Sequence, residues 1–299
     1  MLNQPILMQT AAEADKSPAD EHPARLTSRP LIIIEPGKSQ IAARIKDLWT
    51  HRELLYFLTW RDVKVKYKQT LLGAAWAILQ PVLMMVVFSL FFGRLGIFDS
   101  NSIPYPLFVL TGLVPWTFFA SAVTTSSNSM VGSAHLITKI YFPRLLVPAG
   151  AVAASLVDLI VAFIPLIAMM LYYQVNLSWH ILMLPPVVLL TTLFALAIGT
   201  WMSALNVKYR DVRFALPFVI QVWIFVSSVI VPPGVIPLRW RWILLLNPMS
   251  AIIESYRSAL LGLPFHWPAL GLAAAVTLVA LLYSVFSFHR VEKTFADII

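Results

Sequence analysis

At 299 residues, 59% of them hydrophobic and only 12% charged, the chain is far too apolar for an ordinary soluble domain. It has no cysteine, which excludes disulfides and cysteine-ligated metals. The net charge of +8 at pH 7 sits beside long apolar blocks, a placement that argues for a membrane and against nucleic acid as the partner.

Residues 1–38 form the first segment, of which 1–30 are polar and rich in Ala, Glu, Asp, Ser, Pro and Arg, with no apolar core segment. They read as a disordered cytoplasmic tail without a cleavable signal peptide. Within them "LIIIEPG" (31–37) is short and apolar, and both a small strand and a surface-docking segment fit it. From 39 to 70 the pattern is amphipathic. Ile41, Ile45, Leu48, Trp49, Leu55 and Tyr56 recur at helical spacing against Arg44, Lys46, Asp47, His51 and Glu53. Too charged to cross, this segment is expected along the inner membrane surface, or as a soluble helix packed on other cytoplasmic segments. It ends in a basic anchor, Arg61, Asp62, Lys64, Lys66 and Lys68.

Six apolar blocks follow, near 71–93, 105–130, 146–173, 181–205, 214–232 and 268–288. About 20 apolar residues cross the hydrocarbon layer. Continuous apolarity without alternation selects helices over a barrel. The expected fold is therefore an all-α integral membrane protein with six transmembrane helices. Eleven Lys and Arg precede residue 70, and seven more follow the second, fourth and sixth blocks. Arg94, Arg239, Arg241 and Arg257 are left for the other side. Short loops rich in Lys and Arg stay inside, so both termini, including residues 291–299, are expected in the cytoplasm.

Two segments break the pattern. Thr124, Thr125, Ser126, Ser127, Asn128 and Ser129 crowd the inner end of the second block, and such residues face protein or water. After "VPPGVIP", residues 232–266 are too polar for a span and read as two short re-entrant or interfacial helices hinged at Asn247-Pro248.

No catalytic constellation is visible. Gly37-Lys38-Ser39 resembles the tail of a phosphate-binding loop, but position 32, where that loop needs glycine, is Ile. The six histidines are scattered and no Gly-x-Ser-x-Gly motif exists. Asp158 is the only acid well within a span, and it reads as either a functional group or a hydrogen-bond partner of a neighbouring helix. Aromatics are frequent, and Trp76, Phe88, Phe92, Trp116, Phe119 and Trp223 are candidates to line a path for sugar rings; lipid-facing packing is the alternative.

"LLYFLTWRDVKVKYKQTLLGAAWAILQP" (54–81), "PYPLFVLTGLVPWTFF" (104–119), "LITKIYFPRLLVP" (136–148), "SALNVKYRDVR" (203–213), "LNPMSAIIESYRSALLG" (246–262) and "FHRVEKTFADII" (288–299) together resemble the membrane subunits of bacterial polysaccharide-export ABC transporters. These permeases serve O-antigen, capsule, teichoic acid and related glycans. The resemblance implies a homodimer with a central channel, a lipid-linked polysaccharide as cargo and two separate ATPase subunits that bind ATP and Mg, so that this chain is no enzyme and binds no cofactor. It implies an interface helix before Trp60, and a coupling loop at 131–145 with Lys139, Tyr141, Phe142 and Arg144 facing the ATPase. It also implies an outer gate at 232–266 with Asn247, Pro248, Glu254 and Arg257. The chain departs from many relatives at Ser228-Val229-Ile230-Val231-Pro232, where they carry a Pro-Val-Ile-Tyr-Pro type run. An exporter of drugs or small lipids, a secondary transporter and a membrane acyltransferase are the other readings; the last requires a His or acidic constellation in the spans.

Overall fold

The computed structural model describes residues 50–68, 73, 75–93, 103–139 and 142–292. The tail 1–38, most of the amphipathic stretch before Thr50, Tyr141 and residues 293–299 lie outside the described residues. Among the described residues the regular structure is helical: α1 (Arg52–Lys68), α2 (Ala75–Phe92), α3 (Tyr105–Gly132), α4 (Ala134–Lys139), α5 (Leu146–Tyr172), α6 (Leu184–Lys208), α7 (Val212–Val226), α8 (Arg241–Leu246), α9 (Pro248–Leu261) and α10 (Trp267–Glu292). Short 3-10 turns stand at Trp179–Met183, Pro233–Val235 and Leu238–Trp240.

Among the described residues five helices are long and apolar enough to cross a membrane: α2, α3, α5, α6 with the turn before it, and α10. At 28 and 27 residues, α3 and α5 run about 40 Å at 1.5 Å per residue, beyond the ~30 Å of hydrocarbon. The expected block 214–232 appears as α7, whose 15 residues span only about 22 Å. It stops at Val226, six residues before the end of the apolar run, for reasons that lie in its neighbours.

Local sequence sets the ends. Proline occupies the first turn of α3, α6 and α9, where its missing N–H costs nothing. Asn247 caps α9 by accepting the Met249 N–H at 3.1 Å, and Gly262 ends it at φ 70°, a left-handed conformation that glycine adopts without strain. Prolines 81, 115, 165 and 217 sit inside α2, α3, α5 and α7. Each leaves one carbonyl, four residues earlier, without its helical partner.

α3 is the hub. It packs against α2, α5, α6, α7 and α9 and is buried over most of its length, while α2 and α10 show most of their surface. The main core joins Leu107, Leu110, Leu113, Phe118 and Phe119 of α3 to Leu166 of α5, Phe194 of α6 and Tyr256 of α9. A smaller core at the other end of α3 gathers Leu58, Met130, Phe142, Leu146, Val207 and Phe288. The Ser/Thr/Asn cluster faces protein only in part, since Thr125 and Asn128 are exposed. Ser126 and Ser127 are buried, and Asn206 of α6 donates to the Ser127 carbonyl at 3.0 Å and to Asn128 Oδ1 at 3.1 Å. Gly199 lets α6 approach: a Cβ there would stand 2.7 Å from Ser126 Cβ and Oγ.

Gly199→Leu is expected to push α3 and α6 apart, costing about 1–3 kcal/mol by overpacking. Thermal unfolding in detergent, followed by tryptophan fluorescence, checks this. Gly132→Ala, whose added Cβ meets open space, should leave the transition unmoved.

Candidate functional site

The departure of α7 from its expected length is explained by what surrounds residues 226–230. A helix that stops inside an apolar body leaves carbonyls without donors, and side chains must satisfy them. Asn247 Nδ2 donates to the Val226 carbonyl at 3.1 Å and to Ser227 Oγ at 2.9 Å, and Ser250 Oγ donates to the same Val226 carbonyl at 3.3 Å. Asn247 Oδ1 also accepts the Trp223 indole N–H at 3.2 Å. One residue therefore caps α9, ends α7 and orients Trp223.

Arg257 of α9 completes the job, with no part of it exposed. Its Nη1 donates to the Ser228 carbonyl at 2.8 Å and its Nη2 to the Val229 carbonyl at 2.9 Å. Nε and Nη2 both reach the Phe108 carbonyl of α3 at 3.3 Å. Glu254, one turn back, takes Nη1 at 2.6 Å and accepts from Ser228 Oγ at 3.1 Å. The guanidinium lies 3.5 Å from the centroid of the Phe108 ring, a geometry in which the ring face attracts the cation. A Cβ at Gly112 would stand 2.8 Å from Nη2 and 3.3 Å from Val229 Cα, so this glycine makes the room for the guanidinium. Ser228 takes φ 33°, an unfavourable angle for a residue with a side chain, held by bonds from both its hydroxyl and its carbonyl. The expected gate residues Asn247, Pro248, Glu254 and Arg257 thus come together around the end of α7. Phe108, Gly112 and Ser228 belong to the same assembly, and only the break after α7 marked it in the sequence.

The opposite end carries the expected coupling residues. Lys139, the last residue of α4, is exposed. Phe142 is buried in the smaller core, and Arg144 donates to the Glu292 carbonyl near the end of α10 at 2.9 Å. Two of the four candidates are therefore held by this chain itself, and Tyr141 lies outside the described residues. Lys64 lies over the Trp60 ring at 5.4 Å, Lys68 is exposed, and Arg61 bonds Asp62 at 2.8 Å and reaches Ser133 Oγ at 3.3 Å. Lys66 and the neighbouring Tyr67 both bond the Asp158 carboxylate of α5. Burial, and then the bond to Asp158, holds the Tyr67 hydroxyl protonated, well above the ordinary phenol range. Asp158 is thus the partner of α1, a pairing that nothing local in either segment announces.

The candidate aromatics divide. Trp116 and Phe119 are buried in the protomer, where Phe119 stacks on Phe194 at 5.2 Å and meets Trp223 edge-on at 5.3 Å. Phe88 and Phe92 are half-buried against the same core, and Trp76 is exposed. Among the described residues no three His, Asp or Glu side chains come together as a metal site.

Residues 53–261 match a known sequence profile, that of the ABC-2 type transporter. The chain belongs to the ABC-2 type transporter family. The matched part of this ABC-2 chain begins in the first turn of α1 and closes on the last residue of α9. Relatives extend further. The O-antigen export system permease protein RfbA of Myxococcus xanthus is 30% identical over 254 residues, 83% of this chain and 96% of the relative. A protein of the same name from Klebsiella pneumoniae is 26% identical, covering 83% and 95% of the two chains. The polysialic acid transport protein KpsM of Escherichia coli is 24% identical, covering 78% and 91%.

Arg257→Met in the ABC-2 chain strands Glu254 and three backbone acceptors, at a cost of about 3–5 kcal/mol, the range seen when a buried pair loses one member. Folded yield and melting temperature should drop sharply. Arg257→Lys, which keeps the charge but not the fork, should fall between the two.

Proposed function

We propose that this chain is the membrane-spanning subunit of an ATP-driven exporter that carries a lipid-linked, O-antigen-like polysaccharide outward across the bacterial inner membrane. The observation that carries this reading is similarity over 78–83% of the chain to proteins named for O-antigen export and for polysialic acid transport. The physical features are compatible with it. Lys139, Arg144, Lys208 and Arg290 lie at the end of the bundle where α3, α6 and α10 finish and α5 begins, and such a cation-rich end is retained in the cytoplasm. In that orientation both termini are cytoplasmic, and the Asn247–Arg257 assembly stands toward the outer face.

The sixth passage is α7 followed by the buried run Ser227–Ile230. That run is turn and bend, with Ser228 at φ 33°, so this passage is shorter than the hydrocarbon thickness of about 30 Å. The segment from Pro232 to Leu261 then turns back as a re-entrant gate, with Arg257 as its fixed point. Two copies enclose the channel, and two ATPase subunits, holding ATP and Mg, dock beneath α4. Of the described coupling candidates, Lys139 is the one offered to a partner, whereas Phe142 and Arg144 transmit its movement into the smaller core and the end of α10.

A docking contact of this kind is worth a coupling free energy of about 1–3 kcal/mol, or roughly 5–150-fold. Lys139→Glu should lower ATP-dependent glycan export in that range while the complex still inserts and the ATPase still turns over. Unchanged export would take Lys139 out of the coupling. The reading as a whole is tested in proteoliposomes of the chain with its partner ATPase: lipid-linked glycan should move only when ATP is supplied, and movement driven by a proton gradient alone would identify a secondary transporter instead.

A further inference from the structure

Between α1, α2, α3 and α5 lies a recess of about 230 Å³. Three helices supply its polar floor: Lys66 and Tyr67 of α1 bond the Asp158 carboxylate of α5, and Ser121 of α3 lies within 3.4 Å of Lys66 Nζ. α2 supplies the opposite wall, with Trp76 and Gln80. These two are one helical turn apart, so indole and amide stand on the same face. Both are exposed, and among the described residues neither side chain has a hydrogen-bond partner. An amide turned toward hydrocarbon would be costly, so its place at this wall calls for a polar neighbour.

Pro81 adds to the demand. It lacks the N–H that would close the helix onto the Ala77 carbonyl, and Pro81 and Ala77 both line the recess. The Asp158 carboxylate accepts two hydrogen bonds of the roughly four it has lone-pair sites for. Acceptors, donors and a flat aromatic face therefore converge on one small space.

We propose that this recess is a binding subsite for a neutral sugar ring, with Trp76 as the stacking platform and Asp158, Lys66 and Gln80 as its polar partners. The charge balance selects the ligand class. Lys66 is already matched by Asp158, and a phosphate entering the recess would meet a carboxylate as well as an ammonium. A sugar hydroxyl both donates and accepts, so it bonds either member of the pair without a net charge of its own. The indole face suits the C–H face of a pyranose. The volume lies below the roughly 300–1,000 Å³ of sites for drug-sized ligands, which limits the occupant to about one ring. Under the export reading, on which this subsite rests, it holds one residue of the cargo where α1 meets the first long span. A single-ring contact of this kind grips weakly and lets a chain advance.

Saturation-transfer NMR on the chain with its partner ATPase in lipid nanodiscs tests this, using methyl mannoside, methyl galactoside and methyl N-acetylglucosaminide as probes. At least one glycoside should receive saturation on its ring C–H protons. The signal should vanish in Trp76→Ala, survive in Trp76→Phe and weaken in Asp158→Asn, and excess inorganic pyrophosphate should leave it unchanged. No transfer to any probe, or transfer that survives Trp76→Ala, overturns the subsite. Displacement by pyrophosphate makes it an anion site and overturns the neutral-sugar assignment. If Asp158→Asn does not fold, the two Trp76 variants decide. A complex that exports glycan but gives no signal sinks the subsite alone. One that binds the glycoside but moves no glycan sinks the export reading instead.

Discussion

The structure depends on one requirement: within an apolar body every backbone carbonyl must find a donor. Helices meet it by themselves, and most of this chain is helix. Where α7 stops, at Val226, the requirement passes to side chains, and Asn247 and Arg257 meet it with donors aimed at Val226, Ser228, Val229 and Phe108. An arginine suits this position because its rigid fork serves several acceptors at once and its charge is hard to remove. Glu254 offsets that charge and the Phe108 ring covers its face. Removing the clamp would leave a broken helix with nothing to justify its break.

The two ends of the bundle are built differently. Toward the start of α3 the contacts are buried, directional and shared among three helices, which fixes one geometry. Toward its other end, long cationic side chains of α1, of α4 and of the segment before α5 are exposed or reach across to a neighbour, as Arg61 does to Ser133 and Arg144 to Glu292. Such contacts yield to small displacements.

The apolar blocks made the long helices legible: 105–130 against Tyr105–Gly132 and 146–173 against Leu146–Tyr172 differ by two residues at most. Hydrophobic length is a local property, and it reads directly. The early end of α7 was not legible, because apolar residues continue to Val231 and the reason for stopping lies in side chains twenty or more residues away. The same holds for Asp158. It looked solitary because its partner is 92 positions distant, at the end of a basic run that reads as a topology anchor. Aromatic composition could not separate Trp116 and Phe119, which fill the protomer, from Trp76, which is exposed, since a ring is equally at home in a core, in lipid or against a sugar.

The seam between α3 and α6 has a consequence for how the chain is made. The hydroxyl- and amide-rich end of α3 leaves the ribosome well before Gly199 and Asn206, the residues that cover it. During biosynthesis that end therefore waits in the bilayer or against the insertion machinery, its polar groups held by backbone carbonyls one turn back, as Thr124, Thr125 and Asn128 are in the finished protein. Translation order and assembly order differ here. The second long helix to be synthesised has its surroundings complete only once α9 has followed it.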